Sequence, residues 1–289
     1  MSTPTALEAQ TAAKAVRQRP RSLELFTGAG GLALGLHAAG FEHVALVEFE
    51  PKACETLRQN AQLWETRNGP APPWTSESVH LLDVRHLRAD DLLRNDATLH
   101  LVAGGPPCQP FSLGGVHAGM ADTRNMFPAA IGLVRELLPS LVLFENVPGL
   151  LRTSFMPYFE YVELQLRNPT CRPRQSETWR EHRDRLLSVR PGRAGVRYLV
   201  TRQVINAADF GVPQLRKRVF LMAVRADLVE TPLPHVQGTH SEAALLHTQW
   251  VSGAYWERLG IPAPPAAPDK IAALARSLSS PHRGPGRGI

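Results

Sequence analysis

Five short apolar runs in the first half of the sequence each stop at a glycine loop or a single carboxylate, and this punctuation constrains the fold more than any other feature. The run Leu23-Glu24-Leu25-Phe26 gives way to Thr27-Gly28-Ala29-Gly30-Gly31, and Val44-Ala45-Leu46-Val47 stops at Glu48. Residues 79–82 stop at Asp83, Leu99-His100-Leu101-Val102-Ala103 enters Gly104-Gly105, and Leu141-Val142-Leu143-Phe144 stops at Glu145. Apolar runs this short, bounded by turn signals, are the pattern of strands buried in an open α/β sheet. Ligands of such sheets bind in the crevice beyond the carboxyl ends of the strands, which is where these glycines and acids fall.

The first turn runs into a helical stretch, residues 32–40, in which Leu32, Leu36 and Ala39 recur at i, i+4, i+7 and predict one sheet-facing stripe. Glycines there let the chain turn tightly and let a nucleotide-like ligand approach a helix N-terminus. Glu48 follows Gly30 by 18 positions, the place of an acid that holds a ribose diol. A glycine loop, a Glu and an Asp on three successive strands are the order expected for an adenosine-containing cofactor. A plain structural turn and two solvated loop carboxylates are the competing explanation.

The nine residues Gly104-Gly105-Pro106-Pro107-Cys108-Gln109-Pro110-Phe111-Ser112 put one cysteine in a rigid loop at the end of the fourth run. There the sulfur is either an exposed nucleophile or a small hydrophobe, and the loop alone does not separate the two. The glycine-rich residues 112–120 that follow read as a lid or as a linker.

Two later blocks, Glu145-Asn146-Val147-Pro148-Gly149 and Gln214-Leu215-Arg216-Lys217-Arg218, complete a set whose order resembles the DNA (cytosine-5)-methyltransferase family from Arg21 to about Arg225. The resemblance implies a doubly wound, mostly parallel Rossmann-like α/β sheet with one antiparallel hairpin, and S-adenosylmethionine as cofactor. It implies that Phe26, Ala29 and Gly31 pack against the cofactor, that Glu48 binds its ribose, and that Phe49, Asp83 and Val84 hold its adenine. Gly105 and Phe127 would close the methionine end. Phe49 stands where many relatives have an indole.

The catalytic set implied is Cys108, Glu145, Arg218 and Arg216. Carbon 5 of cytosine is a poor nucleophile until a thiolate, here Cys108, adds to carbon 6. Glu145 would serve nitrogen 3 and the exocyclic amine, Arg218 the carbonyl oxygen at carbon 2, and Arg216 a phosphate or the thiol side. No side chain reaches carbon 6 inside a stacked duplex, so the base must be flipped out.

The end of the chain departs from the family, because residues 231–289 are proline-rich and hold no Asn-Ser-Val-type closing segment. We therefore expect a C-terminally incomplete fold: residues 1–20 a disordered basic tail, 21–230 the catalytic domain, and 231–289 the start of a truncated recognition region. The expected partners are double-stranded DNA and a second polypeptide supplying the missing segments. The expected setting is restriction and modification. A transfer RNA cytosine-5 methyltransferase and a non-catalytic DNA-binding subunit are the alternatives.

Composition agrees: 43% hydrophobic residues suffice for a core, and a net charge of +6 with pI near 9.6 suits a polyanion. Ten arginines fall between Arg167 and Arg202, where interleaved acids read first as a solvated helix and second as a DNA contact. Cysteines at 54, 108 and 171 have neither metal nor disulfide spacing, which fits the cytoplasm. Neither a membrane span nor a metal site is expected.

Overall fold

The computed structural model describes residues 19–66, 73–92, 98–107, 125–189, 195–267 and 271–272. Cys108 and residues 112–120 lie outside them, as does all but the end of the 1–20 tail. The chain divides into two compact units, Met1–Arg202 with Phe220–Pro234, and Gln203–Val219 with His235–Ile289.

The expected strands form in the expected places: β1 (Arg21–Leu25), β2 (Glu42–Glu48), β3 (Val79–Leu81), β4 (Leu101–Gly104) and β5 (Leu141–Asn146). All four pairings among them are parallel, and the strand order β3-β2-β1-β4-β5 reverses direction at β1. Parallel neighbours require crossovers, supplied by α1 (Gly31–Ala38), α2 (Pro51–Glu65), α3 (Ala89–Leu92) and α4 (Phe127–Leu137). Both faces of the sheet are consequently covered. Ala33, Leu46, Cys54, Leu57, Ala61, Trp74 and Val79 make one core cluster, and Leu36, Leu101 and Ala103 make another with Leu32, Phe41, Leu141 and Leu143.

The α1 stripe differs from expectation at one end. Ala33 and Leu36 are its buried residues, while Ala39 is exposed. The helix stops at Ala38 because Gly40, at φ +94°, takes the left-handed conformation that ends helices.

After β5 the chain enters α5 (Met156–Arg167) and α6 (Trp179–Leu187), then β6 (Tyr198–Asn206) and β7 (Lys217–Arg225), which extend the sheet as β5-β7-β6. Ala207 N–H donates to Arg216 O at 3.0 Å, so the end of β6 meets the start of β7 and the two form the antiparallel hairpin. The second unit holds the outer part of this hairpin with α7 (Glu242–Trp250) and α8 (Ala254–Leu259). Its core is small: Ala208, Leu245 and Tyr255, with Trp256 packed on them. Among the described residues no helix is long and apolar enough to cross a membrane.

Candidate cofactor and active site

The carboxyl ends of β1, β2, β3 and β4 surround a cavity of about 600 Å³ at the point where the strand order reverses. Its wall includes Phe26, Glu48, Phe49, Asp83, Val84 and Gly105, six of the nine residues expected at a cofactor. Ala29 and Gly31 are exposed and are not part of that wall. Phe127 is buried with its ring edge-on to Phe144, 6.4 Å between centroids, and its neighbour Met126 lines the cavity instead.

Local chemistry fixes each wall residue. Phe26 sits at φ +56°, a conformation that non-glycine residues rarely adopt, and Thr27 beside it anchors the turn by donating N–H to Val47 O at 3.3 Å. The Glu48 carboxylate accepts from three backbone amides, Gly28 N at 2.7 Å on one oxygen and Phe49 N and Glu50 N, both at 2.8 Å, on the other. This ties the β2 tip to the glycine turn after β1 and leaves Glu48 preset, with capacity for a further donor. Phe49 projects into solvent, 68% exposed.

Asp83 is held by Arg85, whose backbone N–H and Nε reach one carboxylate oxygen at 2.9 and 3.0 Å while Nη2 reaches the other. The guanidinium lowers the Asp83 pKa to about 2. Arg85, Glu50, Pro107 and Met126 also line the cavity and were not anticipated. For Arg85 the available signal was its position two residues beyond a strand-tip acid.

Glycine is required where β4 meets β1. A Cβ on Gly104 would lie 2.3 Å from Leu25 O, inside the parallel Leu25–Gly104 pairing. At Gly105 a Cβ would approach Glu145 Oε2 to 3.4 Å, so the carboxylate at the tip of β5 lies against the start of the cysteine loop. Asn146 fastens the same junction, its Nδ2 donating to Pro106 O at 2.8 Å and its Oδ1 accepting from Val147 N at 2.9 Å. Met126 N–H donates to Pro107 O at 3.2 Å from the other side. The carbonyls of the two residues immediately preceding Cys108 are therefore each held, one by the Asn146 side chain and one by the Met126 main chain.

Glu24 on β1 is 1% exposed. Burial raises its pKa to about 8 against a hydrogen bond from the Ala33 backbone, and Oε2 has no hydrogen-bond partner among the described residues. The remaining expected residues, Arg216 and Arg218, belong to the second unit. There Asn206 Oδ1 accepts from Arg216 N at 3.1 Å, and Arg218 Nη1 donates to Lys217 O at 2.8 Å. Among the described residues no group of three or more His, Cys, Asp or Glu is arranged to hold a metal.

A doubly wound sheet with a crevice of this kind is shared by many protein families, and comparison with known proteins identifies the family of this chain. The profile described as C-5 cytosine-specific DNA methylase matches residues 21–168 and 192–253, and the chain belongs to this family. It is similar to the type II methyltransferase M.NgoMIV of Neisseria gonorrhoeae, 36% identical over 204 residues that are 71% of this chain and 51% of the relative. M.AquIA of a Picosynechococcus species is 35% identical over 70% of this chain and 71% of its own length. M.NaeI of Lentzea aerocolonigenes is 32% identical over 70% of this chain and 39% of its own. The chain thus spans about half the length of the first of these.

Proposed function

We propose that this chain is the catalytic portion of a DNA cytosine-5 methyltransferase, acting on a cytosine flipped out of double-stranded DNA in a restriction and modification setting in the cytoplasm. The observation that carries the reading is the approach of Glu145 to Gly105, which joins a strand-tip carboxyl to the loop bearing Cys108 in a chain of this family. Family membership and the acid-rimmed cavity support S-adenosylmethionine, which supplies an electrophilic methyl group. Glu48 would take the ribose hydroxyls, Asp83 and Val84 the adenine edge and Phe49 its face, with Phe26 and Gly105 around the remainder.

The chain's own groups then divide the work. Cys108 as thiolate bonds to carbon 6, pushing an electron pair toward carbon 5 and charge onto nitrogen 3. Glu145 protonates or hydrogen-bonds nitrogen 3 and accepts from the exocyclic amine, which selects cytosine over thymine. Arg218 supports the carbonyl oxygen at carbon 2, and Arg216 a phosphate. Once carbon 5 is methylated and has lost its proton to a base, the carbon–sulfur bond breaks and Cys108 leaves.

We assign residues 21–230 to catalysis and 231–289 to the beginning of a recognition region, completed by a second polypeptide. Duplex DNA carrying 5-fluorocytosine at a target site tests the proposal, because the fluorine cannot leave as the proton does. A covalent complex is expected by intact mass with the assembled protein and none with Cys108→Ala. An adduct that persists in Cys108→Ala contradicts it.

A further inference from the structure

The two matched stretches of the family leave out residues 169–191, and within this excluded segment the chain builds an ordered helix. The segment carries six arginines against three acids, a surplus equal to half the net +6 of the whole chain. Its helix α6 begins with a complete capping box, Thr178 N–H donating to Glu181 Oε2 at 2.7 Å and Glu181 N–H donating to Thr178 Oγ1 at 3.3 Å. His182 is fully buried between Tyr161 OH at 2.8 Å and Cys171 O at 2.9 Å, so the helix is docked onto α5.

The acids of the segment are already engaged. Glu181 closes the cap, Glu177 pairs with Arg185 at 2.7 Å, and Asp184 pairs with Arg183 at 2.8 Å. Arg172, Arg174 and Arg180 are exposed, and none makes an ion pair among the described residues. The Arg180 guanidinium lies 4.7 Å from the centre of the Trp179 ring, stacked and available. Trp179 meets Tyr158 edge-on at 6.0 Å, and Tyr158 OH accepts from Asn125 Nδ2 at 2.7 Å. Asn125 precedes Met126, whose N–H donates to Pro107 O next to Cys108. A short series of contacts thus connects the arginine-bearing end of α6 to the loop at which the base is captured.

We propose that residues 169–189 form a phosphate-binding platform for the duplex flanking the captured cytosine, a contact outside the blocks shared by the family and resting on the DNA reading above. Arginine is suited to it, because its planar, weakly hydrated guanidinium binds phosphate oxygens while stacked on an aromatic ring. Such contacts set affinity and orientation and leave sequence choice to other residues.

The test is fluorescence anisotropy of a labelled duplex with the full chain and S-adenosylhomocysteine across a salt series, comparing the unmodified protein with Arg172→Gln/Arg174→Gln/Arg180→Gln. The slope of log affinity against log salt should fall by about 2–3, and low-salt affinity by about 10-fold or more, with cofactor affinity and melting temperature unchanged. Arg180→Gln alone should take about 1 from the slope, and lysine at all three positions should restore most of it. An unchanged slope in the triple variant, with normal duplex binding by the unmodified chain, overturns the platform and leaves the DNA reading standing. A loss confined to an RNA hairpin competitor also overturns it. Absence of duplex binding by the unmodified chain at every salt concentration overturns both.

Discussion

The carboxyl edge of the β1–β4 strands and the second unit differ in how much structure surrounds their polar groups. At the sheet edge, bonds to main-chain groups do the holding: the Glu48 carboxylate is gripped by three amides, Pro106 O by the Asn146 side chain and Pro107 O by Met126 N–H. In the second unit the turn between β6 and β7 exposes Val212, Leu215 and Arg216, and the core beside it is a handful of side chains. Chemistry that needs fixed geometry is favoured by the first kind of construction, where the groups are oriented before a ligand arrives. Surface that must adapt to a large partner is favoured by the second.

The sharpest way to break this comparison is one substitution in each region. Gly104→Ala should destabilise the protein by about 3 kcal/mol or more, since its methyl group would collide with Leu25 O in an unyielding parallel pair. Leu215→Ala in the exposed turn should stay within about 0.5 kcal/mol. Urea denaturation of both variants decides it, and comparable losses would show that the two regions are equally constrained.

Glu24 sharpens the comparison with a smaller effect. Its folded pKa of about 8 lies above the ordinary 4.5, so the native state binds the extra proton between those values. The associated stability is fully present below about pH 4.5 and is lost as pH rises through about 8. Glu24→Gln should remove this dependence and be more stable than the unmodified chain by about 1–3 kcal/mol at alkaline pH. Parallel pH profiles for the two proteins would contradict the burial of a neutral carboxyl there.

Much of the sheet edge was legible in the sequence because it is local. Each strand is a short run and each site group is the residue at its tip, so Glu48, Asp83 and Glu145 could be placed by counting. What escaped depends on contacts between distant segments. The engagement of Asp83 by Arg85 needed side-chain geometry, and the role of Asn146 needed the 40-residue separation from Pro106 to close. Phe127 was expected at the cofactor, but α4 turns its ring into the core against Phe144, a choice made by packing. The helical pattern of residues 178–185 was visible as a solvated helix, while the burial of His182 became apparent only with α5 in place.

The central claim is that the cavity at the β1–β4 edge is a cofactor site set by strand-tip carboxylates, and calorimetric titration with S-adenosylhomocysteine tests it most directly. The unmodified chain should bind, and Glu48→Ala and Asp83→Ala should each weaken binding by about 1–3 kcal/mol, the scale of a hydrogen-bonded polar partner removed from a shielded site. The fold of each variant is checked by its melting curve. Binding of undiminished affinity in both folded variants, or no binding by the unmodified chain, would contradict the assignment of this cavity.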